Sequence, residues 1–131
     1  MSSVKIKAII IFSGILVMCC SNPEATSSVK TEIYFGLSTS TGEPIPLEDW
    51  EVFKEKNVEE ILSGYTEILG NGFWSDDEGV KHHEKSVTLI YLHENTTSEN
   101  LKIDSLISLY KTEFEQHSVL KVQYPVEMEF K

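Results

Sequence analysis

Two stretches of helical period set among four stretches of strand period, in the order strand, helix, strand, strand, helix, strand, predict an α+β domain. The arrangement expected is the ferredoxin-like βαββαβ two-layer sandwich, a four-stranded antiparallel sheet with two helices on one face. Three observations carry it: period-2 alternation over 31–37, a run apolar on both faces over 87–92, and one apolar stripe from Ile103 to Phe114.

Residues 31–37 place Ile33, Phe35 and Leu37 on one side and Glu32, Tyr34 and Gly36 on the other, the period of a strand. Gly42, Pro44 and Pro46 then break the chain. Trp50, Phe53, Val58, Ile61 and Leu62 follow at near-helical spacing, with Glu48 and Asp49 where a helix N-terminus favours negative charge, and Gly64 is the expected stop. Residues 65–69 predict a short second strand, continued by Phe73 and Trp74 beyond Gly70, Asn71 and Gly72; 75–79 is rich in turn formers. From His83 the chain is strand-like again, and Val87, Leu89 and Tyr91 interleave with Thr88, Ile90 and Leu92 as in a central strand. Thr96 and Glu99 make a capping box, after which Ile103, Leu106, Ile107, Tyr110 and Phe114 share one helical stripe. In the last strand, 118–124, Leu120, Val122 and Tyr124 alternate with Val119, Lys121 and Gln123, and Pro125 marks an edge or a bulge. The helix stripes with Ile33, Phe35 and Leu37 form the expected core.

The N-terminus predicts where the chain works. Lys5 and Lys7 precede an apolar and small-residue segment over 8–18 that ends on Cys19 and Cys20. Crossing a bilayer takes about 20 apolar residues, so this shorter block behind lysines has the form of an export signal. A cysteine directly after such a block, followed by Ser21, Asn22 and Pro23, resembles the lipobox of bacterial lipoproteins, whose cysteine carries acyl chains such as palmitate. Small residues usually precede the modified cysteine; Cys20, behind Cys19, fits better than Cys19, behind Met18. The expected organisation is a signal peptide over 1–19, a flexible tether over 20–30 from lipidated Cys20, and a single α+β domain over 31–131. The expected location is the bacterial cell envelope, membrane-anchored on the extracytoplasmic side, in the periplasm or at the outer membrane.

No cysteine follows Cys20, which excludes disulfides, thiolate metal sites and a cysteine nucleophile from the folded part. All basic residues are lysine, and beyond Cys19 nine lysines face 21 acidic residues, a net charge of −12. That balance argues against nucleic acid and against a polybasic contact with anionic lipid.

The βαββαβ topology brings the ends of the first and second strands and the starts of the third and fourth to one edge. Ser38, Thr39, Trp74, His82, His83, Glu84, Gln116, His117 and Ser118 fall there, with Trp50 nearby, and a mix of aromatic and polar groups is how a small pocket looks in sequence. Plain structural roles compete: Trp50 in the core stripe, Trp74 capping the sheet, and Gln116 and Ser118 bonding to free carbonyls of the second helix. His82 and His83 are adjacent on a strand and point to opposite faces, and Val87 stands where the zinc-protease pattern HExxH needs its second histidine. No metal site and no cofactor are expected. His93 and His117 read as isolated surface or turn residues. Gly70, Asn71 and Gly72 give a turn rather than a phosphate loop or dinucleotide fingerprint, and Asn95, Thr96 and Thr97 match a glycosylation sequon but start a helix more naturally.

The chain resembles a bacterial family of small exported proteins of unknown function, domain of unknown function 3574. The resemblance rests on TEIYFGLS from Thr31 to Ser38, on Trp50 and Phe53, on GYT from Gly64 to Thr66, on Trp74 and Glu84, and on YKTEFEQHSVLKV from Tyr110 to Val122. Ile61, Leu62 and Ser63 depart from the Phe-Pro pair of similar proteins. The resemblance implies export and architecture but no activity; its positions Tyr34, Glu84, Gln116 and Ser118 coincide with the edge cluster. With Trp74 they form the candidate ligand or partner site. Two functions stay open. One is an envelope binding or interaction module whose helix-free sheet face, presenting Tyr34 and Val119 with Val87, Leu89 and Tyr91, pairs two copies as a homodimer. The other is a small dimeric α+β barrel-type enzyme acting on an apolar small molecule, with Glu84 or a neighbouring histidine as acid or base.

Overall fold

The computed structural model describes residues 27–131, and the expected export signal over 1–19 and residues 20–26 of the expected tether, Cys20 included, lie outside them. The strands are β1 (Ser28–Gly36), β2 (Thr66–Ser75), β3 (Lys81–Glu94) and β4 (Leu120–Val126); the second helix is Thr97–Glu113. The sheet order is β2-β3-β1-β4 and every neighbouring pair is antiparallel, the βαββαβ topology that the sequence predicts.

β1 starts at Ser28, so residues 28–30 of the expected tether are strand. The alternation extends backwards because Val29 and Thr31 are buried on the side of Ile33 and Phe35. The first helix combines an α stretch Leu47–Phe53, a π stretch Lys54–Val58 and a closing α turn Glu59–Ile61. Phe53 and Val58 are five residues apart, which a regular α-helix would splay around its axis; the i→i+5 hydrogen bonding of the π stretch turns both inward, and both are fully buried. Gly64 does not stop this helix. Leu62 turns extended (φ −98°, ψ 132°) and is pulled into the core, ending the helix two residues earlier.

β2 runs unbroken through Gly70, Asn71 and Gly72, where the sequence suggests a turn. The reversal comes instead at Asp76, whose Oδ1 accepts from the backbone N–H of Glu78 (3.0 Å) and Val80 (2.8 Å), while Gly79 takes φ +80°. Of the capping box, one half forms: Thr96 Oγ1 accepts from Glu99 N–H at 3.2 Å. The Glu99 carboxylate takes the Tyr91 hydroxyl and the Lys102 ammonium instead, each at 2.6 Å.

Trp50, Phe53, Phe35 and Tyr110 pack ring to ring at centroid separations of 4.6–5.9 Å and join the helices to β1. Val87, Leu89 and Tyr91 belong to this core, so they do not lie on the helix-free face. Val119 also packs against the core. The helix-free face instead carries the other parity: Tyr34 on β1, Ile68 on β2, Ile90 and Leu92 on β3, and Leu120, Val122 and Tyr124 on β4. His93 is buried rather than superficial, stacked on Tyr91 and 2.7 Å from Thr31 Oγ1, because its odd position on β3 faces the helices.

Candidate functional site

Three glycines shape the end of the helix-free face. Gly72 lies directly opposite Glu84, while Gly36 and Gly70 flank Ser86 from the two neighbouring strands. With no side chains from these positions, Glu84 and Ser86 rise from a bared floor. A Cβ at Gly36 would stand 2.8 Å from Glu84 Oε2, and one at Gly72 would stand 3.6 Å from Glu84 Cγ. The Glu84 side chain therefore leans across onto the backbone of β1. Among the described residues its carboxylate has no hydrogen-bond or ion-pair partner.

The wall beside it is built by the exit of the second helix. Glu115 adopts φ +51°, reversing the chain, and Gln116 N–H closes the helix on Lys111 O at 3.0 Å. The Gln116 side chain does not cap the helix. Its Nε2 reaches back to β1, donating to Gly36 O at 3.2 Å and also to Ser38 O. Tyr110 Oη donates to the same Gly36 carbonyl at 2.8 Å, and Ser40 N–H reaches Glu115 O at 3.2 Å. Burial, and behind it the negative charge of Glu84, push the Tyr110 phenol far above its ordinary value, so it stays a neutral donor.

On the opposite wall the Trp74 indole, half exposed, stacks on the His82 ring at 4.1 Å and 14°. His82 Nε2 lies 2.9 Å from Asp76 Oδ2; that hydrogen bond, followed by the Val80 amide, holds the Asp76 carboxyl below its usual range. Together these elements enclose a groove of about 530 Å³ lined by Tyr34, Trp74, Glu84, Gln116 and Ser118, all five residues singled out from the sequence, with Ser38, Thr39, Ser40, Phe73, Ser86, His117 and Leu120. Trp50 is not in it. Its ring is in the core and its Nε1 donates to Glu67 Oε2 at 3.1 Å.

His83 points to the other face, as alternation requires, where its ring lies 5.0 Å from Phe73 and borders a second cavity of about 660 Å³ with Leu37, Ile45, Pro46 and Leu69. Ser38, Glu84 and Ser86 border both spaces. Among the described residues no cluster of three or more His, Cys, Asp or Glu is placed to hold a metal ion. What sequence reasoning missed is the glycine floor and Ser86; the available signal was a glycine interrupting strand alternation, which marks close approach of another group.

A family model described as "Protein of unknown function (DUF3574)" matches residues 30–130. The chain belongs to this family. No curated protein matches the DUF3574 chain. Among solved structures, a phage SAM lyase in complex with S-methyl-5′-thioadenosine is similar at TM-score 0.56 and 17% identity, covering 80% of this chain and 93% of that one. A phage SAM lyase in its apo state gives TM-score 0.56 and 17% identity, covering 84% and 97%. CutA from Synechococcus elongatus PCC7942 gives TM-score 0.47 and 8% identity, covering 77% and 79%. At such identities the lyases share a fold with the DUF3574 domain.

Proposed function

We propose that this protein is a ligand-binding module of the bacterial cell envelope, held to the membrane by acyl chains on Cys20, with the groove over Gly36 and Gly72 as its binding site. One observation supports it above others: side chains from β1, β2, β3 and the segment after the second helix converge on one groove whose floor is cleared by glycine around an unpartnered carboxylate. A site of 530 Å³ suits a small molecule rather than a polymer.

Native mass spectrometry of the full chain extracted from its own envelope tests this. The expected spectrum carries a small noncovalent adduct that is lost in Trp74→Ala and Glu84→Gln, and an adduct-free wild-type protein overturns the binding role. For the anchor, Cys20→Ser should move the protein from the detergent phase to the aqueous phase on cloud-point partitioning, because a single acyl chain already gives marginal membrane binding and two give stable anchoring. Retention in the detergent phase overturns lipidation at Cys20. A second copy docked on the helix-free face through Ile68, Leu92, Leu120 and Val122 is the accompanying partner proposal. Sedimentation at high concentration tests it, and a strictly monomeric species removes it.

The enzyme reading has one feature in its favour, the unpartnered Glu84 carboxylate, which is the acid or base such a site would use. SAM is a rational first substrate to try, given the fold shared with phage SAM lyase. Consumption of SAM by the wild-type protein and not by Glu84→Gln would replace the binding role with a catalytic one.

A further inference from the structure

We infer that the groove selects a small dissolved molecule carrying both a flat ring and a cationic group, the ring lying on Trp74 and the cation facing Glu84. The inference rests on the groove being a binding site, and adds the chemistry of what enters it. The Glu84 carboxylate has no partner among the described residues, although it leans into a recess beside Gly36 rather than out to solvent. A half-enclosed charge is less screened than a surface charge, and a cation supplies the counter-charge the chain withholds. No lysine lines the groove; its other polar groups are hydroxyls, His117 and the Gln116 amide, whose Nε2 is already committed to β1 carbonyls.

Trp74 supplies the second half. Trp74 is 49% exposed even though His82 stacks on its indole, and it lines the groove. An exposed tryptophan face attracts flat rings and cations alike. Gly72 faces Glu84 and Trp74 faces His82 on successive same-face pairs of one ladder, with Phe73 and His83 between them on the other face, so Trp74 and Glu84 are diagonal neighbours, a Cα separation of about 7–8 Å. A ring with a two-carbon amine arm spans that gap.

Tryptamine and its neutral counterpart tryptophol, titrated into isotope-labelled full-length protein in micelles, test the assignment by amide and indole chemical shifts. Tryptamine should move the resonances of Gly36, Gly72 and Trp74 and bind about tenfold tighter than tryptophol. Glu84→Gln, which preserves shape, should bring the two affinities together, while Glu60→Gln on the exposed first helix should leave the preference intact. If neither probe moves groove resonances while the envelope-extracted protein carries its adduct, the ring-and-cation assignment is overturned and the groove stands; if the adduct is absent as well, both proposals fall. If both bind equally to the wild type, the groove stands and the cation assignment is overturned. A preference that survives Glu84→Gln also overturns it, since the general negative charge of the protein would then be its source. The dispersed spectrum of Glu84→Gln serves as the check on folding.

Discussion

Glu84 rests on Gly36. With Oε2 only 2.8 Å from where a Cβ would be, a carboxylate from β3 occupies the space of a missing side chain on β1. Gly36→Ala should therefore act on the site more than on the fold. The atoms in the way are the flexible end of one side chain, so stability should fall by about 1 kcal/mol, the low end of the cost of overpacking. The displaced carboxylate should cost the groove its ligand. Thermal melting beside the adduct measurement checks this; a large drop in melting temperature with the adduct retained would contradict the arrangement.

The βαββαβ order is legible in the sequence because each element carries its own period, and because Pro44, Pro46 and the turn at Asp76 separate them cleanly. The edge cluster is legible for a derived reason: topology brings Trp74, Glu84, Gln116 and Ser118 to one end of the sheet, and the family resemblance adds Tyr34 to them. What is not legible depends on parity or on long-range partners. His93 looks polar and isolated until β3 pairs with β1 and sets it against Thr31. Gly70, Asn71 and Gly72 have turn composition, yet the ladder to β3 holds them extended, tertiary pairing overriding local preference. Val87, Leu89 and Tyr91 were separable from Thr88, Ile90 and Leu92 only by knowing which side the helices cover.

Phe53 and Phe114 give a graded test of the core. Phe53 is fully buried against Trp50 and Tyr110, while Phe114 is half-buried at the rim, its ring 4.7 Å from Tyr110 and 5.6 Å from Phe53. Phe53→Ala should cost about 3–5 kcal/mol and Phe114→Ala less, about 2 kcal/mol, because less surface and a smaller void are involved. Denaturant melts of both variants rank them, and equal losses would mean the rim is as tightly packed as the centre.

Tyr110 links helix, strand and groove through one hydroxyl. Tyr110→Phe removes the bond to Gly36 O but leaves the Gln116 amide on the same carbonyl, so the loss at neutral pH should be about 1 kcal/mol. Its phenol is raised above the unfolded value of 10.0, so its share of stability is complete below that pH and declines as pH rises above it. The gap between wild type and Tyr110→Phe should narrow in alkali. A gap independent of pH would show that the phenol ionises freely in the folded chain.

At the other end of the scale, Glu32 sets an acid limit from the helix-free face. The Lys30 ammonium at 2.8 Å and the Tyr34 hydroxyl at 2.6 Å, followed by the influence of the Tyr124 hydroxyl, hold its carboxyl at about 2 against an ordinary 4.5. The unfolded chain therefore takes up this proton first as acid is added. The contribution of Glu32 is complete above about 4.5 and is lost as pH falls from there through about 2. Glu32→Gln keeps an acceptor for the tyrosines but not the charge, so the variant should be less stable than wild type at neutral pH. That difference should shrink across the same acid interval, read from denaturant midpoints at stepped pH. High salt should shrink it too, since the pair with Lys30 lies within reach of solvent ions. A difference that persists unchanged to the lowest pH would assign the effect to side-chain shape and remove the charge from the account.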